Sequence, residues 1–593
     1  MRIFRSEEEV PKLPNFYRGD THLHCIYTQN DAETGLPLCA TKEAAKLIGL
    51  DWITTTDHTS DFDNYGTTVA ANWNRIQQET KQMNLDDQSM IYIPSQEVAL
   101  KNHDSKLVHM LAYPNYSDVY NMPFLGDGDG DVTPTGVTVN SALNNLYLAG
   151  GFAFAAHPFA TEDRLPTIPV NGYIWNLGDN GFPDNNSNFP ITGGNIICND
   201  ISAESDVYSG EQGKLIKDGL AGAQIWNVRN ELEMTGDELD GWDVDNSGDG
   251  FMVVDTAAYG HHIKRFRQGQ EIVNYINQLG LKLKTQNDSL ENWKMYFSAG
   301  ADAHGSYNFS NTDDFGGFGT INDNAVGKVN TLVYCPDGMK VDGGGVLKAL
   351  KNGRAVLSDG PILSIGLSTD GDNEANEVFM GDDHVIDIAF LEDYYLNFDY
   401  STTAEFGDIE SIVVYVGTKN GEFRLPMDST WFVQGVVNRR IKLDDLLVAA
   451  MGVTDVNLDE YLYVRAELET YKDLSSQGSV YKTTYQYHHS FTNPIWIKYT
   501  EVFAEVDFLY LEGMPNPFDE ILNLTIKTKD VENVNIRIYD DLGRIVFSRE
   551  ENIYYKKTIS LTESDLPIAP GSYLIRVNNS EETTVCKVIK INY

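Results

Sequence analysis

The chain has 593 residues, of which 41% are hydrophobic and 22% are charged, and its formal net charge is −43 at pH 7. The composition is typical of a soluble globular protein, the length predicts about two to four domains, and so acidic a surface argues against duplex nucleic acid as a partner. No apolar run approaches the roughly 20 residues needed to cross a bilayer, and the scattered, odd-numbered cysteines imply no disulfide framework.

Residues 1–335 repeat one theme, in which a short apolar run ends in polar residues able to bind a metal ion. After YRGDTHLH, the runs are LDWITTTDH, MIYIPSQE, LVHMLAY, GGFAFAAHP, AGAQIWN and MYFSAGADAH. Helix-like stretches such as ATKEAAKLIGL and HIKRFRQGQEIVNYINQLGL lie between them. This alternation predicts βα units on a parallel sheet, and polar residues at the strand ends are typical of the active face of an α/β barrel. The sequence therefore predicts an α/β barrel over residues 1–340.

Two acidic loops interrupt this part of the chain. They contain two aspartate triplets, Asp127, Asp129 and Asp131, and Asp243, Asp245 and Asp249. In the second loop the aspartates and Gly248 match the spacing of a calcium-binding loop, but the twelfth position is Val254 rather than glutamate. A structural calcium ion on Asp243, Asp245 and Asp249 and an Asx-rich turn both remain open.

From about residue 340 the pattern changes to short alternating strands, such as IESIVVYVG, LYVRAELET and IWIKYT, with few helical signals. These strands predict a β-sandwich over residues 341–500. A third unit, residues 508–593, predicts a smaller antiparallel sandwich. The N-terminal stretch MRIFRSEEEV lacks the apolar segment of a signal peptide. It therefore indicates either a cytosolic protein or an exported one whose signal has been removed.

Six histidines and three acids fall at or just after the ends of predicted strands. They are His22, His24, His58, His109, His157, His304, Asp31, Glu97 and Asp302. Two histidines at i and i+2 point to the same face of a strand, as two ligands of one ion would. Taken singly, a histidine is more commonly a buried hydrogen-bonded residue than a metal ligand. Taken together, the nine predict two or three divalent ions, and histidine with carboxylate favours Zn, Mn or Fe.

In chain order, GDTHLH, GLDWITTTDH, PSQE, VHMLAY, GGFAFAAHP and SAGADAHG resemble the motifs of the polymerase and histidinol phosphatase (PHP) family of metallohydrolases. The resemblance covers about residues 15–335. It implies a distorted (β/α)7 barrel with two or three metal ions held by the nine residues named above, Glu97 bridging two of the ions. Asp31 lies further from His24 than the family pattern places its acid. LKNGRAVLSDGPIL and FTNPIWI resemble a subgroup that includes carbaryl-type carbamate hydrolases, in which a β-sandwich follows the barrel.

The last unit resembles the C-terminal sorting domain of the type IX secretion system of Bacteroidetes. The resemblance rests on PNPF, DLGR, GSY and KVIK, within about residues 508–593. It implies recognition by the type IX secretion machinery and export to the cell surface or the medium, often with removal of the tail. It also implies that the signal peptide is missing from this chain. The alternative is a generic stalk-like sandwich.

The predicted ligands favour hydrolysis, because clustered divalent ions lower the pKa of bound water from about 16 toward about 7. A phosphomonoester or phosphodiester is the first choice of substrate. The alternatives are a small-molecule carbamate, ester or amide cleaved at the same site, and a non-catalytic surface binding protein.

The predicted catalytic residues combine two of the metal ligands with residues from the long loops. They are Glu97, His157, Arg229 and His262, with Arg164 and His261 as further candidates. The arginines suit bidentate binding of phosphate, and His262 suits proton donation to the leaving group. The alternatives are surface arginines and a histidine pair that forms local hydrogen bonds at the start of a helix.

Overall fold

The computed structural model describes the following residues: 10–28, 35–63, 68–101, 107–128, 132, 134–156, 220–226, 296–303, 326–327, 329–369, 376, 378–418, 421–451, 461–473, 485–500, 509–514, 516–518, 521–562, 565–566, 568–579 and 583–591.

The described residues form 25 β-strands, five α-helices and three short 3₁₀ helices. The strands are β1 (Phe16–Asp20), β2 (Trp52–Thr55), β3 (Ile91–Pro94), β4 (Gln96–Lys101), β5 (Leu107–Tyr113), β6 (Phe152–Ala155), β7 (Leu220–Trp226), β8 (Tyr296–Ala299), β9 (Asn330–Tyr334), β10 (Ala355–Ser358), β11 (Ile362–Ser368), β12 (Val378–Phe379), β13 (Asp383–Asp387), β14 (Tyr395–Thr402), β15 (Asp408–Thr418), β16 (Gly421–Pro426), β17 (Gly435–Lys442), β18 (Tyr461–Asp473), β19 (Tyr485–Thr492), β20 (Ile495–Thr500), β21 (Tyr510–Met514), β22 (Ile521–Tyr539), β23 (Ile545–Thr562), β24 (Gly571–Asn578) and β25 (Thr583–Lys590). The α-helices are α1 (Leu38–Leu47), α2 (Val69–Asp86), α3 (Val139–Leu148), α4 (Gly344–Lys351) and α5 (Leu443–Met451), and the 3₁₀ helices are Thr59–Asp61, Ile388–Asp393 and Ser429–Trp431.

Local sequence explains where several elements begin and what they bury. The Thr68 hydroxyl accepts a hydrogen bond from the Ala71 N–H at 3.3 Å and so caps α2, while Thr138 and Ser141 form a capping box on α3. Strands β2, β3, β6, β7 and β8 are buried along their whole length, as expected of apolar strands covered on both faces. The predicted helix ATKEAAKLIGL is confirmed by α1. None of the helices in the described ranges is long and apolar enough to span a membrane.

Two sheets carry the N-terminal half. The first runs β20-β18-β19-β10-β9-β1-β2-β3, with β15 also paired to β18 and β16 to β15. Within it β1, β2 and β3 are parallel neighbours, whereas β1 and β9 are antiparallel. The second sheet runs β4-β5-β6-β7-β8, and only its β6–β7 and β7–β8 pairs are parallel. The metal-motif strands β1–β8 are therefore divided between two sheets, and β1, β2 and β3 share the first with the sandwich strands β10, β19, β18 and β20 through the pairing of β10 with β9 and β19.

The expected α/β class with a (β/α)7 barrel is wrong. Among the described residues strands greatly outnumber helices and lie in four separate sheets, so the chain is rich in β-sandwich structure. Alternating apolar runs indicate where strands occur, but they do not fix the direction in which strands pair. Here β5 pairs antiparallel with both β4 and β6, and strands predominate among the described residues after residue 340.

The chain divides into two compact units. The first comprises residues 1–384, 393–456 and 460–498, and the second comprises residues 385–392, 457–459 and 499–593. The first unit also contains an antiparallel sheet of order β12-β11-β14-β17. The second contains the sheet β21-β22-β24-β25, with β23 paired to β22, whose alternating apolar residues form a core of their own.

One side chain connects the sandwich strands to the metal-motif strands within the first unit. Asn493 is fully buried in the turn between β19 and β20. Its Oδ1 accepts a hydrogen bond from the Phe297 N–H at 2.8 Å, and its Nδ2 donates to the carbonyls of Phe297 at 3.1 Å and Ala355 at 3.0 Å. Asn493 thus fixes β8 against β10, and β8 leads directly to the predicted ligand Asp302.

Candidate metal centre

The buried carboxylate of Glu97, at the start of β4, is the centre of the candidate site. Its Oε2 lies 3.1 Å from His22 Nε2, 3.2 Å from His24 Nε2 and 3.1 Å from His58 Nδ1. Its Oε1 lies 2.9 Å from His109 Nδ1. Four imidazoles from three separate parts of the chain therefore converge on one carboxyl group.

Asp302 adds a second carboxylate beside the paired histidines. Its Oδ1 lies 2.9 Å from His24 Nε2 and 3.2 Å from His22 Nε2. Two groups of donor atoms result: one contains His22, His24, Glu97 and Asp302, and the other contains His58, Glu97 and His109. Glu97 belongs to both. The structure therefore brings together six of the nine predicted ligands in two adjoining groups able to hold metal ions.

The segments that carry these side chains are held together by backbone hydrogen bonds. The N–H of His24 donates to the Ala303 carbonyl at 3.0 Å, and the N–H of Asp302 donates to the His22 carbonyl at 2.7 Å. Asp302 has a φ of 50°, a conformation that non-glycine residues adopt rarely. Backbone strain of this kind clusters at functional sites, and here it occurs at the residue whose carboxylate faces two histidines.

Two buried aspartates that are not among the nine predicted ligands fix the loops around the site. Asp20 Oδ1 accepts hydrogen bonds from the His22 N–H at 3.1 Å and the Ala301 N–H at 2.9 Å, which ties together the segments of His22 and Asp302. Asp57 Oδ1 accepts from the N–H groups of Cys25 and Thr28, both at 2.8 Å. Asp57 thereby fixes the turn that follows His24.

Two further residues that the prediction missed contact the outer nitrogens of the paired histidines. Gln224 Oε1 lies 2.8 Å from His22 Nδ1, and Thr28 Oγ1 lies 2.9 Å from His24 Nδ1. Thr28 Oγ1 also accepts the His58 N–H at 3.0 Å. The only sequence signal for Gln224 is a polar residue within the apolar strand AGAQIW, which usually marks a buried hydrogen-bond partner.

The electrostatics of the site favour bound positive charge. Burial alone lowers the pKa of His22, but the carboxylates of Asp302 and Glu97 outweigh it and raise the pKa to about 9. Burial and His58 likewise oppose protonation of His24, yet the same carboxylates raise its pKa above the ordinary value. Burial alone raises the pKa of Glu97, but the surrounding histidines hold it well below its usual range. Protons or metal ions therefore stabilise this arrangement of carboxylates and imidazoles.

Several predicted site residues lie outside the described residues, so their assignments stay predictions. They are the ligands Asp31, His157 and His304, the candidates Arg164, Arg229, His261 and His262, and the acidic-loop residues Asp129, Asp131, Asp243, Asp245 and Asp249. Asp127 is described: it is fully buried, and its Oδ2 accepts a hydrogen bond from the Val132 N–H at 3.3 Å.

Comparison with known proteins identifies the tail. Residues 514–592 match the family model of the secretion system C-terminal sorting domain, which confirms that part of the predicted resemblance. No curated protein matches the chain.

Solved structures give only distant likenesses. PsfC from Pseudomonas syringae is 12% identical over 57% of this chain and 97% of its own, with a TM-score of 0.27. A protein from Bifidobacterium adolescentis, provisionally assigned as a metal-dependent phosphoesterase, is 14% identical over 48% of this chain and 87% of its own, with a TM-score of 0.21. Dimeric latent PorU from Porphyromonas gingivalis is 15% identical over 39% of this chain and 20% of its own, with a TM-score of 0.13. These scores are too low to define a common fold.

The class of protein follows from the tail. A type IX sorting domain marks a protein exported by Bacteroidetes and either secreted or held at the cell surface, which confirms the predicted localisation. The sorting domain implies interaction with the type IX secretion machinery. Upstream of it, the chain carries a cluster of histidines and acids that could hold metal ions.

Proposed function

We propose that this exported protein is a metal-dependent hydrolase, with a phosphoester as its substrate. The observation that carries the proposal is the shared carboxylate of Glu97, which contacts His22, His24 and His58 through one oxygen and His109 through the other. Buried charges are paired or coordinate metals, and a buried carboxylate that contacts four imidazoles is the arrangement expected of a ligand shared by two metal positions.

The donor set fits divalent transition-metal ions. Imidazole nitrogens and carboxylate oxygens are ligands that Zn, Mn and Fe accept. In the first group the two histidine nitrogens lie 2.9–3.2 Å from each other and from the Glu97 and Asp302 oxygens, and atoms that surround one ion at about 2.1 Å are spaced by about 3.0–3.4 Å. The first group would hold one ion through His22, His24, Glu97 and Asp302, and the second would hold another through His58, Glu97 and His109.

The residues of the site divide into a sealed side and an open side. His22, His24 and Glu97 are almost wholly buried and would hold an ion away from bulk water. The side chains of Asp302, His58 and His109 are 19%, 14% and 12% exposed, so a substrate would approach from their side. Divalent ions held here would lower the pKa of water toward neutrality and so supply hydroxide for hydrolysis.

The choice of a phosphoester rests on the motifs that resemble the PHP family. A carbamate, ester or amide is the second candidate, and one observation favours it. Asn493 lies in FTNPIWI, which resembles a motif of the carbamate-hydrolase-like subgroup, and it hydrogen-bonds the backbone of β8 in the metal-motif half. In that subgroup a β-sandwich likewise accompanies the metal unit.

The test combines metal analysis with a substrate panel. The purified full chain is loaded with Zn²⁺ or Mn²⁺, freed of excess ion, and analysed for metal per chain. It is then assayed with nitrophenyl phosphate, bis-nitrophenyl phosphate and a naphthyl carbamate under identical conditions. We expect about two ions per chain and turnover of a phosphoester. Turnover of the carbamate alone would select the second candidate, and a chain that retains no metal would contradict both.

A further inference from the structure

Gln224 is a buried amide that touches the candidate metal centre without belonging to its ligands. It lies within β7 and is fully buried. Its Oε1 is 2.8 Å from His22 Nδ1, and its Nε2 donates a hydrogen bond to the Gly300 carbonyl at 3.0 Å. One side chain thus contacts both the segment of His22 and the segment that leads to Asp302.

These two contacts fix how the amide is oriented. The Gly300 carbonyl can only accept a hydrogen bond, so the amide nitrogen must face it. The opposite orientation would place two acceptor oxygens about 3.0 Å apart with no hydrogen between them. The amide oxygen therefore faces His22 Nδ1, and because that oxygen only accepts, Nδ1 carries the hydrogen.

The tautomer of His22 follows from this orientation. With its hydrogen on Nδ1, a neutral imidazole has its lone pair on Nε2. This nitrogen points into the site, 3.1 Å from Glu97 Oε2 and 3.2 Å from Asp302 Oδ1. A lone pair facing two carboxylate oxygens is stable when a cation lies between them, and in the absence of a metal ion a proton on Nε2 takes that place. We propose that Gln224 is a positioning residue that holds His22 in its metal-binding tautomer, an inference that rests on the proposed metal-dependent function.

The same amide also supports the segment that carries Asp302. The Gly300 N–H donates to the Trp226 carbonyl at 3.0 Å, while the Gly300 carbonyl accepts from Gln224. Both backbone polar groups of Gly300 are therefore hydrogen-bonded to residues of β7. A Cβ at position 300 would lie 2.6 Å from Thr21 Oγ1 and 2.7 Å from the His22 nitrogen, so only glycine fits there. Gln224 therefore fixes the spacing between two ligands of the first group, as well as the tautomer of one of them.

The experiment measures the affinity of the full chain for Zn²⁺ by competition with a chromophoric chelator. Gln224→Met keeps the approximate shape of the side chain but removes the acceptor, and it should weaken Zn²⁺ binding by about 10- to 100-fold, as loss of an outer partner of a metal-bound histidine does. Gln224→Glu also loses the hydrogen bond to the Gly300 carbonyl but keeps an acceptor oxygen for His22 Nδ1, so it should bind Zn²⁺ more tightly than Gln224→Met and within about tenfold of the wild type. The matched control is Gln77→Met: Gln77 is also buried, and its Oε1 accepts the Met122 N–H at 3.1 Å, outside the six site residues. Its affinity should stay within about twofold of the wild type.

Equal Zn²⁺ affinity in Gln224→Met and the wild type would overturn the inference, as would a Gln224→Glu variant as weak as Gln224→Met. A role in packing alone predicts that both substitutions act alike, whereas a role as acceptor predicts that methionine weakens binding more than glutamate does. If Gln224→Met does not fold, Gln224→Glu decides the matter: Zn²⁺ affinity within about tenfold of the wild type supports the role of the acceptor, and weaker binding overturns it. A wild-type chain that binds no Zn²⁺ would contradict the proposed function itself, whereas ordinary binding that Gln224→Met leaves unchanged contradicts only the role of Gln224.

Discussion

Glu97→Gln is the substitution with the sharpest expected effect, because it keeps the size of the side chain and removes only its charge. The carboxylate contacts His22, His24 and His58 through Oε2 and His109 through Oε1, so both donor groups lose their common ligand. Removing one partner from a buried charge cluster costs about 3–5 kcal/mol. At about 1.4 kcal/mol per tenfold change, metal affinity should fall by about 10²- to 10⁴-fold.

The assay is metal content per chain after dialysis, followed by turnover of the best substrate at saturating metal. We expect Glu97→Gln to lose both ions and turnover to fall by at least about 10²-fold, equivalent to about 3 kcal/mol of transition-state stabilisation. The matched control is Glu467→Gln, which removes a charge from another buried glutamate, one that pairs with Arg465 and accepts from the Tyr415 hydroxyl at 3.1 Å. That variant should lose stability but keep its metal. The reasoning is refuted if Glu97→Gln keeps both ions and turns over substrate within about threefold of the wild type.

The remaining predictions concern one donor group, one buried contact, one titrating acid and the tail. Asparagine can adopt the positive φ of position 302, so Asp302→Asn removes a carboxylate from the first group alone. This variant should lose one metal ion per chain where Glu97→Gln loses two. Loss of both ions in the metal analysis would contradict the assignment of two separate groups. Asn493→Ala removes three hydrogen bonds to Phe297 and Ala355. It should lower the free energy of unfolding, measured by urea denaturation, by about 2–4 kcal/mol. An unchanged denaturation midpoint would contradict the structural role of Asn493. Burial, with the neighbouring Glu410 and Glu467, raises the pKa of Glu469 from 4.5 to about 7, so the folded state binds this proton more tightly than the unfolded chain. The free energy of unfolding should therefore fall as pH rises from about 4.5 to about 7, and Glu469→Gln should flatten that slope; identical slopes would rule out the shift. Deletion of residues 508–593 should leave turnover intact but block export in a type IX-competent host, as measured by cell fractionation, and normal export would refute the role of the tail.

Much of the candidate site could be predicted because ligand chemistry leaves a local trace in the sequence. His22 and His24, and the acids that end PSQE and SAGAD, are conspicuous as polar residues that follow apolar runs. Their convergence on Glu97 required the structure, because Glu97 and Asp302 are 205 positions apart in the sequence numbering. Gln224 was missed because a single amide in an apolar strand reveals a buried partner without revealing which group it contacts.

The fold was predicted less well, for a physical reason. Burial produces apolar runs in both parallel and antiparallel sheets, so LVHMLAY predicted β5 but not its antiparallel pairing with β4 and β6. The pairing of β9 with β10, which joins the metal-motif strands to the sandwich strands, likewise depends on contacts that no short sequence pattern encodes. The tail was predicted best, because its turn motifs and alternating strands are local features, and the sorting-domain match at residues 514–592 confirms it.

The most direct measurement is an anomalous difference map from crystals of the chain grown with Zn²⁺ or Mn²⁺, recorded at the metal absorption edge. We predict two peaks that share Glu97, one also in contact with His22, His24 and Asp302 and the other with His58 and His109. A map with no anomalous density within about 3 Å of the Glu97 carboxylate, from crystals soaked at saturating metal, would contradict the central claim.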